Sequence, residues 1–346
     1  MSPFSALRPL LFRLDPERAH RLTLMGLRLL PKILTPVEDS ILAIRVAGLN
    51  FPNPVGLAAG FDKDAEAPVQ ALALGFGSVE IGTLTPRPQA GNPQPRLFRL
   101  APDRAVINRM GFNNQGQVEA YGRMKQAFMA RAGIIGINIG ANKDSVDRVA
   151  DYVSGVSRMG AVASYLTINI SSPNTPGLRA LQDAKALEAL LDAVIAANGD
   201  AGPPIFLKVA PDLEPADIDD IARISVGRVD ALIVSNTTIS RPPLQSSHAD
   251  EQGGLSGAPL KSLAQQRMTD FRRATGGAIP LIGVGGIESA DDAYARIRAG
   301  ASLIQIYSAL VYAGPGLVRR MNKGLAALLR RDGFTKLSDA VGVDAR

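Results

Sequence analysis

The chain has 346 residues, of which 46% are hydrophobic and 20% charged, a length and composition typical of one α/β barrel with additional elements. Cysteine is absent and only two histidines occur, which excludes disulfides, thiolate nucleophiles and Cys-ligated metals and disfavours a metal site or a Ser–His–Asp triad. The net charge of +6 comes from scattered basic residues with few aromatics, which favours an anionic ligand or an anionic membrane surface over nucleic acid.

The first 38 residues predict two helices that are separate from the rest of the chain. A first helix is indicated by leucines at helical spacing, although Pro9 is expected to delay its start: Leu7, Leu10, Leu11 and Leu14. Asp15–Glu17 form a helix start, with an N-cap acid, a proline at the first helical position and an acid facing the helix dipole. This second helix should reach about Leu30 and end before Pro31.

Residues 1–34 carry a net charge of +4, and a basic segment with leucine faces suits an anionic membrane surface. The alternative is a helix pair that simply packs on the main fold as a lid. Arginines interrupt every apolar run here, so no secretory signal is predicted. No run in the chain approaches the roughly 20 apolar residues of a spanning helix. The protein is therefore expected at the cytoplasmic face of the cell membrane, as a peripheral protein.

Residues 39–346 alternate short apolar runs with amphipathic segments. Each run is nearly continuously hydrophobic, as a strand buried on both faces must be. The eight predicted strands are Pro54–Gly60, Ser78–Leu84, Ile134–Gly140, Tyr165–Ser171, Ile205–Ala210, Ala231–Thr237, Pro280–Gly286 and Ser302–Ser308. Predicted helices between or after them include Ala184–Ala197, Pro215–Ser225, Ala290–Ala299 and Pro315–Leu329. Eight such units predict a (β/α)8 TIM barrel, and the alternative, an open doubly wound sheet, lacks the GxGxxG expected after its first strand.

Polar, glycine and asparagine residues concentrate just after the predicted strands. In a barrel these positions form the C-terminal rim, where active sites are built. The second strand is followed by Thr85–Asn114, a long connection rich in Pro, Gly, Arg and Asn that is predicted to be irregular. Connections of this length are more often functional than not.

Asparagine-rich motifs are predicted to meet at this rim. The fourth strand ends in Asn169–Gly177 (NISSPNTPG), where Asn169 and Ser171 share one face and the chain turns at Ser172. Alone, this motif fits a polar turn equally well. A barrel would, however, bring three further asparagines to the same rim: Asn108, Asn138 and Asn236. Amides offer donors and acceptors together, which suits a planar ligand with carbonyl and N–H groups.

Charged and glycine residues at the strand ends indicate an anionic ligand. Lys208 lies within the buried run Phe206–Val209, where a lone lysine is costly unless an anionic ligand or a structural ion pair compensates it. Glycines recur at 253–257 and 283–287, and a helix is predicted to start after the eighth strand. Backbone N–H groups at such positions bind phosphate, and this rim position is the usual one in barrels.

Six segments together resemble the class 2 dihydroorotate dehydrogenases, in order and at similar spacing: Ala58–Lys63, Asn108–Phe112, Asn169–Arg179, Ser235–Thr238, Gly253–Gly257 and Gly283–Ile287. The N-terminal helix pair and the serine of the central motif match class 2, whereas the soluble class 1 enzymes place cysteine there. The resemblance covers nearly the whole chain. It implies FMN at the rim, oxidation of dihydroorotate to orotate in pyrimidine biosynthesis, and reoxidation by a membrane quinone.

The resemblance also implies residue roles. Ser172 is the implied base for the C5 proton while hydride passes from C6 to the flavin N5. The residues implied to hold the substrate are Lys63, Asn108, Arg109, Met110, Gly111, Phe112, Asn169, Asn174, Asn236 and Thr237. Those implied to hold FMN are Ala59, Gly60, Phe61, Asp62, Lys63, Thr83, Asn138, Asn169, Lys208, Ser235, Gly257, Gly286, Tyr307 and Ser308. The FMN phosphate is expected near Gly257, Gly286, Tyr307 and Ser308. Lys208 should stabilise the reduced, anionic flavin. A quinone path is implied along His20, Arg99 and Tyr307.

The sequence leaves three other functions open. Another FMN barrel could oxidise a dihydropyrimidine or a 2-hydroxy acid, but the latter needs a rim histidine and His248 lies in a polar loop without a supporting motif. A phosphate-binding isomerase would lack flavin and its yellow colour. A non-catalytic membrane adaptor would not need so many polar groups at the rim.

Overall fold

The structure is a computed structural model that describes residues 3–30 and 39–345. The strands are β1 (Ile44–Val46), β2 (Leu49–Phe51), β3 (Val55–Leu57), β4 (Ser78–Leu84), β5 (Leu97–Leu100), β6 (Ala105–Asn108), β7 (Ile134–Ile139), β8 (Tyr165–Asn169), β9 (Ile205–Val209), β10 (Ala231–Val234), β11 (Gly254–Gly257), β12 (Leu281–Val284) and β13 (Ala301–Ile306). The α-helices are α1 (Pro3–Arg13), α2 (Pro16–Arg28), α3 (Pro68–Leu72), α4 (Gln117–Met129), α5 (Arg148–Met159), α6 (Ala184–Asn198), α7 (Pro215–Ser225), α8 (Lys261–Ala274), α9 (Ala290–Arg298), α10 (Ser308–Ala313), α11 (Leu317–Arg331) and α12 (Leu337–Ala340).

Eight parallel strands close into a barrel in the order β3-β4-β7-β8-β9-β10-β12-β13, and β13 pairs back onto β3. Each overlaps one predicted strand, so the predicted TIM barrel is confirmed. Several strands end before the predicted carboxyl end, the first at Leu57 rather than Gly60, because the chain leaves the sheet there to build the rim. The four predicted helices correspond to α6, α7, α9 and α11, the last of which begins at Leu317.

The barrel interior changes from apolar to polar along β9. On β9, Phe206 and Lys208 share the inward face because side chains alternate. Phe206 stacks on Tyr165 at 4.3 Å between ring centroids and packs with Val46 and Phe51 of the β1–β2 hairpin. The hairpin therefore fills the amino-terminal end of the barrel, while Lys208 lies nearer the carboxyl-terminal rim.

The connection after β4 contains regular structure, so the prediction of an irregular Thr85–Asn114 segment is wrong in part. β5 and β6 form an antiparallel hairpin, and β11 adds to β6 as a third strand. Phe98, Ile107 and Leu255 form a small core of their own beneath this sheet. The second strand partner of β6, β11, lies about 150 residues away, and so no local sequence pattern could show that pairing.

Helix α1 runs through Pro9, so the predicted delay of its start is wrong. A proline removes one backbone hydrogen bond, and tertiary contacts offset that loss here. The Phe12 ring lies 5.7 Å from that of Tyr312, edge to face, and Arg8 donates to the Tyr312 carbonyl at 3.2 Å.

Helix α2 begins as predicted, with the Asp15 side chain accepting from the Arg18 N–H at 2.9 Å. It ends at Arg28, and the expected stop at Pro31 lies outside the described residues. Leu24 and Leu27 are buried in the same hydrophobic cluster as the barrel strands and helices. The helix is thus anchored on the barrel by its apolar face.

Candidate active site

A cavity of about 460 Å³ lies at the carboxyl ends of the barrel strands and continues between α1 and α2. Its inner part is polar and is lined by residues that include Ser172, Lys208 and Asn236. Its outer part is lined by α1 and α2 through residues such as Phe12, Ala19 and Leu27. One continuous space therefore joins the barrel rim to an apolar passage between the N-terminal helices.

The predicted convergence of asparagines is present. Asn169 Nδ2 donates to Asn138 Oδ1 at 3.0 Å and to Thr83 Oγ1 at 3.1 Å, and all three residues are buried. Asn174 Nδ2 donates to Asn108 Oδ1 at 3.3 Å, so the loop after β8 meets the end of β6. These mutual bonds orient the amides, leaving those that line the cavity available to a ligand.

Ser171 and Ser172 face different surroundings although they are adjacent. Ser171 Oγ donates to Asn169 Oδ1 at 2.8 Å and accepts from Asn236 Nδ2 at 2.9 Å, behind the cavity wall. Ser172 lines the cavity, is 5% exposed, and accepts from the Asn174 N–H at 3.2 Å through its Oγ. The backbone N–H orients the Ser172 hydroxyl, which is shielded from bulk water.

Lys208 is a buried lysine that lines the cavity. In the part of the chain that the structure describes, no carboxylate oxygen lies within 4.0 Å of the Lys208 ammonium and it makes no hydrogen bond, so the alternative of a structural ion pair is not formed. Burial lowers the pKa of Lys208, and the nearby Glu80 carboxylate acts in the opposite direction. Lys208 therefore requires an anionic or electron-rich ligand group in the cavity.

Glu80 is fully buried within the barrel and was not predicted to be a site residue. Its oxygens accept from Asn138 Nδ2 at 2.7 Å, Gln305 Nε2 at 2.8 Å and the Tyr165 hydroxyl at 3.2 Å. The signal that could have identified it is the same as for Lys208, an ionisable residue inside a buried strand. The Glu80 carboxylate interacts electrostatically with Lys208 inside the barrel.

Lys63 lies at the cavity wall, where Nζ donates to the Gly60 carbonyl at 2.9 Å. Burial lowers the pKa of Lys63 to about 8, although the Glu17 and Asp64 carboxylates act against that decrease. Glu17 itself is held by Arg96 through bonds of 3.1 and 2.6 Å, and that pair lowers the pKa of Glu17. A lysine of this kind can bind a carboxylate at neutral pH.

Glycine segments bring the main chain close together at the side of the cavity next to β12 and β13. Gly257 and Gly286 both line the cavity with positive φ, at 96° and 70°. A Cβ atom at Gly286 would lie 2.4 Å from the Lys261 Cα, so only glycine fits this approach. Ser256 and Ser308 hydroxyls lie 2.7 Å apart at the same wall, and Ser256 was not anticipated.

The outer passage is lined by an aromatic cluster. His20 lies 5.4 Å from Phe61 and 6.4 Å from Tyr307 between ring centroids, and the Tyr307 hydroxyl donates to the Gly60 carbonyl at 3.3 Å. Burial, with the charge of Lys63, lowers the pKa of His20 to about 3, so the ring is neutral. A neutral imidazole in an apolar passage can donate or accept one hydrogen bond.

Arg99 has a structural partner in addition to lining the passage. Its guanidinium donates to the carbonyls of Leu11 at 3.0 Å, Phe12 at 3.3 Å and, over a very short contact, Leu14. It also lies over the Phe12 ring at 4.8 Å. Arg99 therefore satisfies carbonyls at the carboxyl end of α1, as basic groups at helix ends commonly do.

The structure places three predicted site residues away from the cavity surface. The Asp62 carboxylate accepts from the Glu66 and Ala67 N–H groups at 2.8 Å, because these orphan donors precede α3. The Arg109 guanidinium pairs with Glu251 at 2.7 Å and stacks over a phenylalanine ring. Asn138 lies behind Asn169. Their side chains support the cavity wall, whereas the other predicted substrate, flavin and path residues line the cavity.

The chain matches the family model described as Dihydroorotate dehydrogenase over residues 41–329. A protein named "Dihydroorotate dehydrogenase (quinone)" from Erythrobacter litoralis is 64% identical, with 98% of this chain and 99% of that protein covered. The protein of the same name from Novosphingobium aromaticivorans is 62% identical, with 99% of each covered. A crystal structure of DHODH from Eimeria tenella in complex with ferulenol superposes with a TM-score of 0.91 at 42% identity, covering 96% of each chain.

Proposed function

The chain belongs to the dihydroorotate dehydrogenase family, in its quinone-dependent class, and we propose that it holds FMN at the barrel rim and uses Ser172 as the base. It oxidises dihydroorotate to orotate, a step of pyrimidine biosynthesis, with a quinone as the electron acceptor. The family is flavin-dependent. The identity of the flavin, the role of each residue and the membrane contact are the parts that we propose here.

One observation carries the proposal: Ser172, the asparagine amides and the unpaired Lys208 line a single buried cavity. The residues fit FMN, because a buried lysine without a protein acceptor suits an isoalloxazine that becomes anionic. The close main-chain approach at Gly257 and Gly286, with the Ser308 hydroxyl beside it, suits a phosphate. When bound, the flavin would supply two-electron redox chemistry between dihydroorotate and the quinone.

The substrate carries one carboxylate and a ring of alternating carbonyl and N–H groups. Asn108, Asn174 and Asn236 offer both donors and acceptors to such a ring, and Lys63 offers a cation to the carboxylate. Ser172 Oγ, which accepts from the Asn174 N–H, is the proposed acceptor of the carbon-bound proton. Because serine is a weak base, its reaction requires the low exposure that this site provides.

The passage between α1 and α2 is proposed to admit the quinone. Its aromatic and aliphatic wall suits a lipid-soluble ring and tail, and neutral His20 can hydrogen-bond a quinone carbonyl. Tyr307 lines the junction between the passage and the rim, and burial raises the pKa of its hydroxyl, which stays protonated. Electrons can thus leave by a different side of the site from the one that binds dihydroorotate.

The N-terminal helices are proposed to rest on an anionic membrane surface. Within residues 3–30 and 39–345, no helix is long and apolar enough to cross a bilayer. Apolar side chains on α2 and just after it are nevertheless exposed, namely Leu22, Met25, Leu29 and Leu30. The expected charge of +4 is reduced on the folded protein, since Arg21 and Arg28 both pair with Glu66. Exposed Arg13 and Arg18 remain for anionic lipid.

The proposed function is tested by turnover with a long-chain ubiquinone analogue, following orotate and quinol together. Equal amounts of both products are expected. Orotate formation that requires a water-soluble acceptor and ignores the quinone would contradict the proposed path.

A further inference from the structure

We propose that Arg179 and Asp212 form a positioning pair that aligns the two substrate-binding loops of the rim. This inference rests on the function proposed above for Ser172 and Asn236. Neither Arg179 nor Asp212 is among the residues that line the cavity, so the pair acts through the loops that it holds and does not touch the substrate.

The Arg179 guanidinium bonds to three separate loops at once. Nε donates to the Ser171 carbonyl at 3.0 Å, in the loop after β8. Nη2 donates to the Thr237 carbonyl at 3.1 Å, in the loop after β10. Nη1 pairs with Asp212 Oδ2 at 3.0 Å, in the loop after β9. The two carbonyls belong to residues next in sequence to Ser172 and Asn236, which line the cavity.

Asp212 completes the arrangement from the other side. Its carboxylate accepts from the Ile239 N–H at 3.0 Å, from the Ser240 hydroxyl at 3.2 Å, and from the Thr238 hydroxyl over a very short contact. The Asp212 side chain is only 12% exposed and that of Arg179 22%. This shielded pair therefore ties the base-bearing loop to the loop that carries Asn236 and Thr237.

The chemistry of arginine explains why this residue is required. Its planar guanidinium donates in several fixed directions, whereas a lysine ammonium is a point charge that cannot reach three acceptors with that geometry. Catalytic geometry is sensitive to displacements of about 1 Å, which can cost on the order of 10²-fold in rate. Losing the three bonds of the Arg179 guanidinium should therefore impair both proton abstraction and substrate binding.

The test compares Arg179→Lys and Asp212→Asn with Arg228→Lys, which alters a surface pair with Asp192 at 3.0 Å far from the rim. Flavin-loaded enzymes are mixed anaerobically with dihydroorotate, and orotate affinity is measured from the change in flavin absorbance. We expect flavin reduction to slow by about 10- to 100-fold and orotate to bind more weakly in both rim variants. Flavin content and the rate of reoxidation by quinone should match those of Arg228→Lys.

Reduction rates and orotate affinities within twofold of the control in both variants would overturn the positioning role. Losses of reduction rate and orotate affinity that only follow the fraction of folded, flavin-loaded protein would also overturn it. Failure of the wild-type flavin to be reduced by dihydroorotate would instead refute the proposed function, so the two failures are distinguishable. Asp212→Asn keeps an oxygen acceptor and tests the same pair if Arg179→Lys does not fold.

Discussion

Ser172 and Ser171 are adjacent hydroxyls, but only Ser172 faces the cavity. We expect Ser172→Ala to leave flavin bound and to slow its reduction by dihydroorotate about 10²- to 10⁴-fold, the usual contribution of a positioned base. Ser171→Ala is the matched control and should have a smaller effect, mainly on substrate affinity, because its hydroxyl links Asn169 to Asn236. Stopped-flow reduction near the wild-type rate in Ser172→Ala would remove this residue from the mechanism.

Lys208 is expected to stabilise the reduced flavin by its charge. In Lys208→Met, the flavin reduction potential should fall by roughly 30–60 mV, equivalent to one or two pKa units of charge interaction, or flavin binding should weaken. Exposed Lys185→Met on α6 is the control and should leave the potential unchanged. A potential equal to that of wild type in flavin-loaded Lys208→Met would mean that the charge acts only on folding.

Lys63 predicts a pH dependence of orotate binding. The ammonium is protonated below its pKa of about 8, so affinity for the carboxylate should be constant at lower pH and should weaken as the pH rises above that value. Titrations from pH 6 to about 10 should show this loss for wild type and no such break for Lys63→Met. A break of the same size in Lys63→Met would assign the titration to another group.

At the residue scale, the sequence predicted which residue types meet but not where each side chain points. Asn108, Asn169 and Asn236 could be predicted because strand ends in a barrel meet at one rim. The side-chain partners of Asp62 and Arg109 could not be predicted, because those partners, the N–H groups before α3 and the distant Glu251, are defined only by the folded chain. Arg179 stood within a recognised motif, yet its link to Asp212 is a tertiary contact.

At the scale of elements, the barrel strands were predictable because each is a short apolar run buried on both faces. The β5–β6–β11 sheet was not predictable. Its third strand, β11, lies in the connection between β10 and β12, far from β6 in the sequence. The start of α2 was predictable from its own capping residue, whereas α1 continues through Pro9 and makes tertiary contacts with Tyr312 that the sequence does not show.

The exposed apolar side chains of α2 predict membrane binding. Replacing Leu22, Met25 and Leu29 by serine should weaken partition to vesicles of anionic lipid by about 10-fold for each residue, because each loses apolar contact with the bilayer. The matched control replaces Val118, Phe128 and Met129, which are exposed on α4. Flotation of the two triple variants on vesicles makes the comparison. Equal losses in both, or none in the α2 variant, would contradict a specific membrane face.

At the scale of the whole molecule, one cavity connects two chemically different regions. The rim is lined by polar side chains that suit the anionic, water-soluble dihydroorotate, and the passage between α1 and α2 is apolar. The Glu17–Arg96 pair links α2 to the connection that follows β4. The two half-reactions should therefore respond to different substitutions, the first to changes at Ser172 and the second to changes at His20.

The most direct test of this account is an anaerobic titration of the purified protein with dihydroorotate, followed by absorbance. The account predicts a yellow protein with the spectrum of oxidised FMN, bleached by an approximately equimolar amount of dihydroorotate and restored when a long-chain quinone is added. A colourless protein that binds no FMN, or a flavin that dihydroorotate does not bleach, would contradict it.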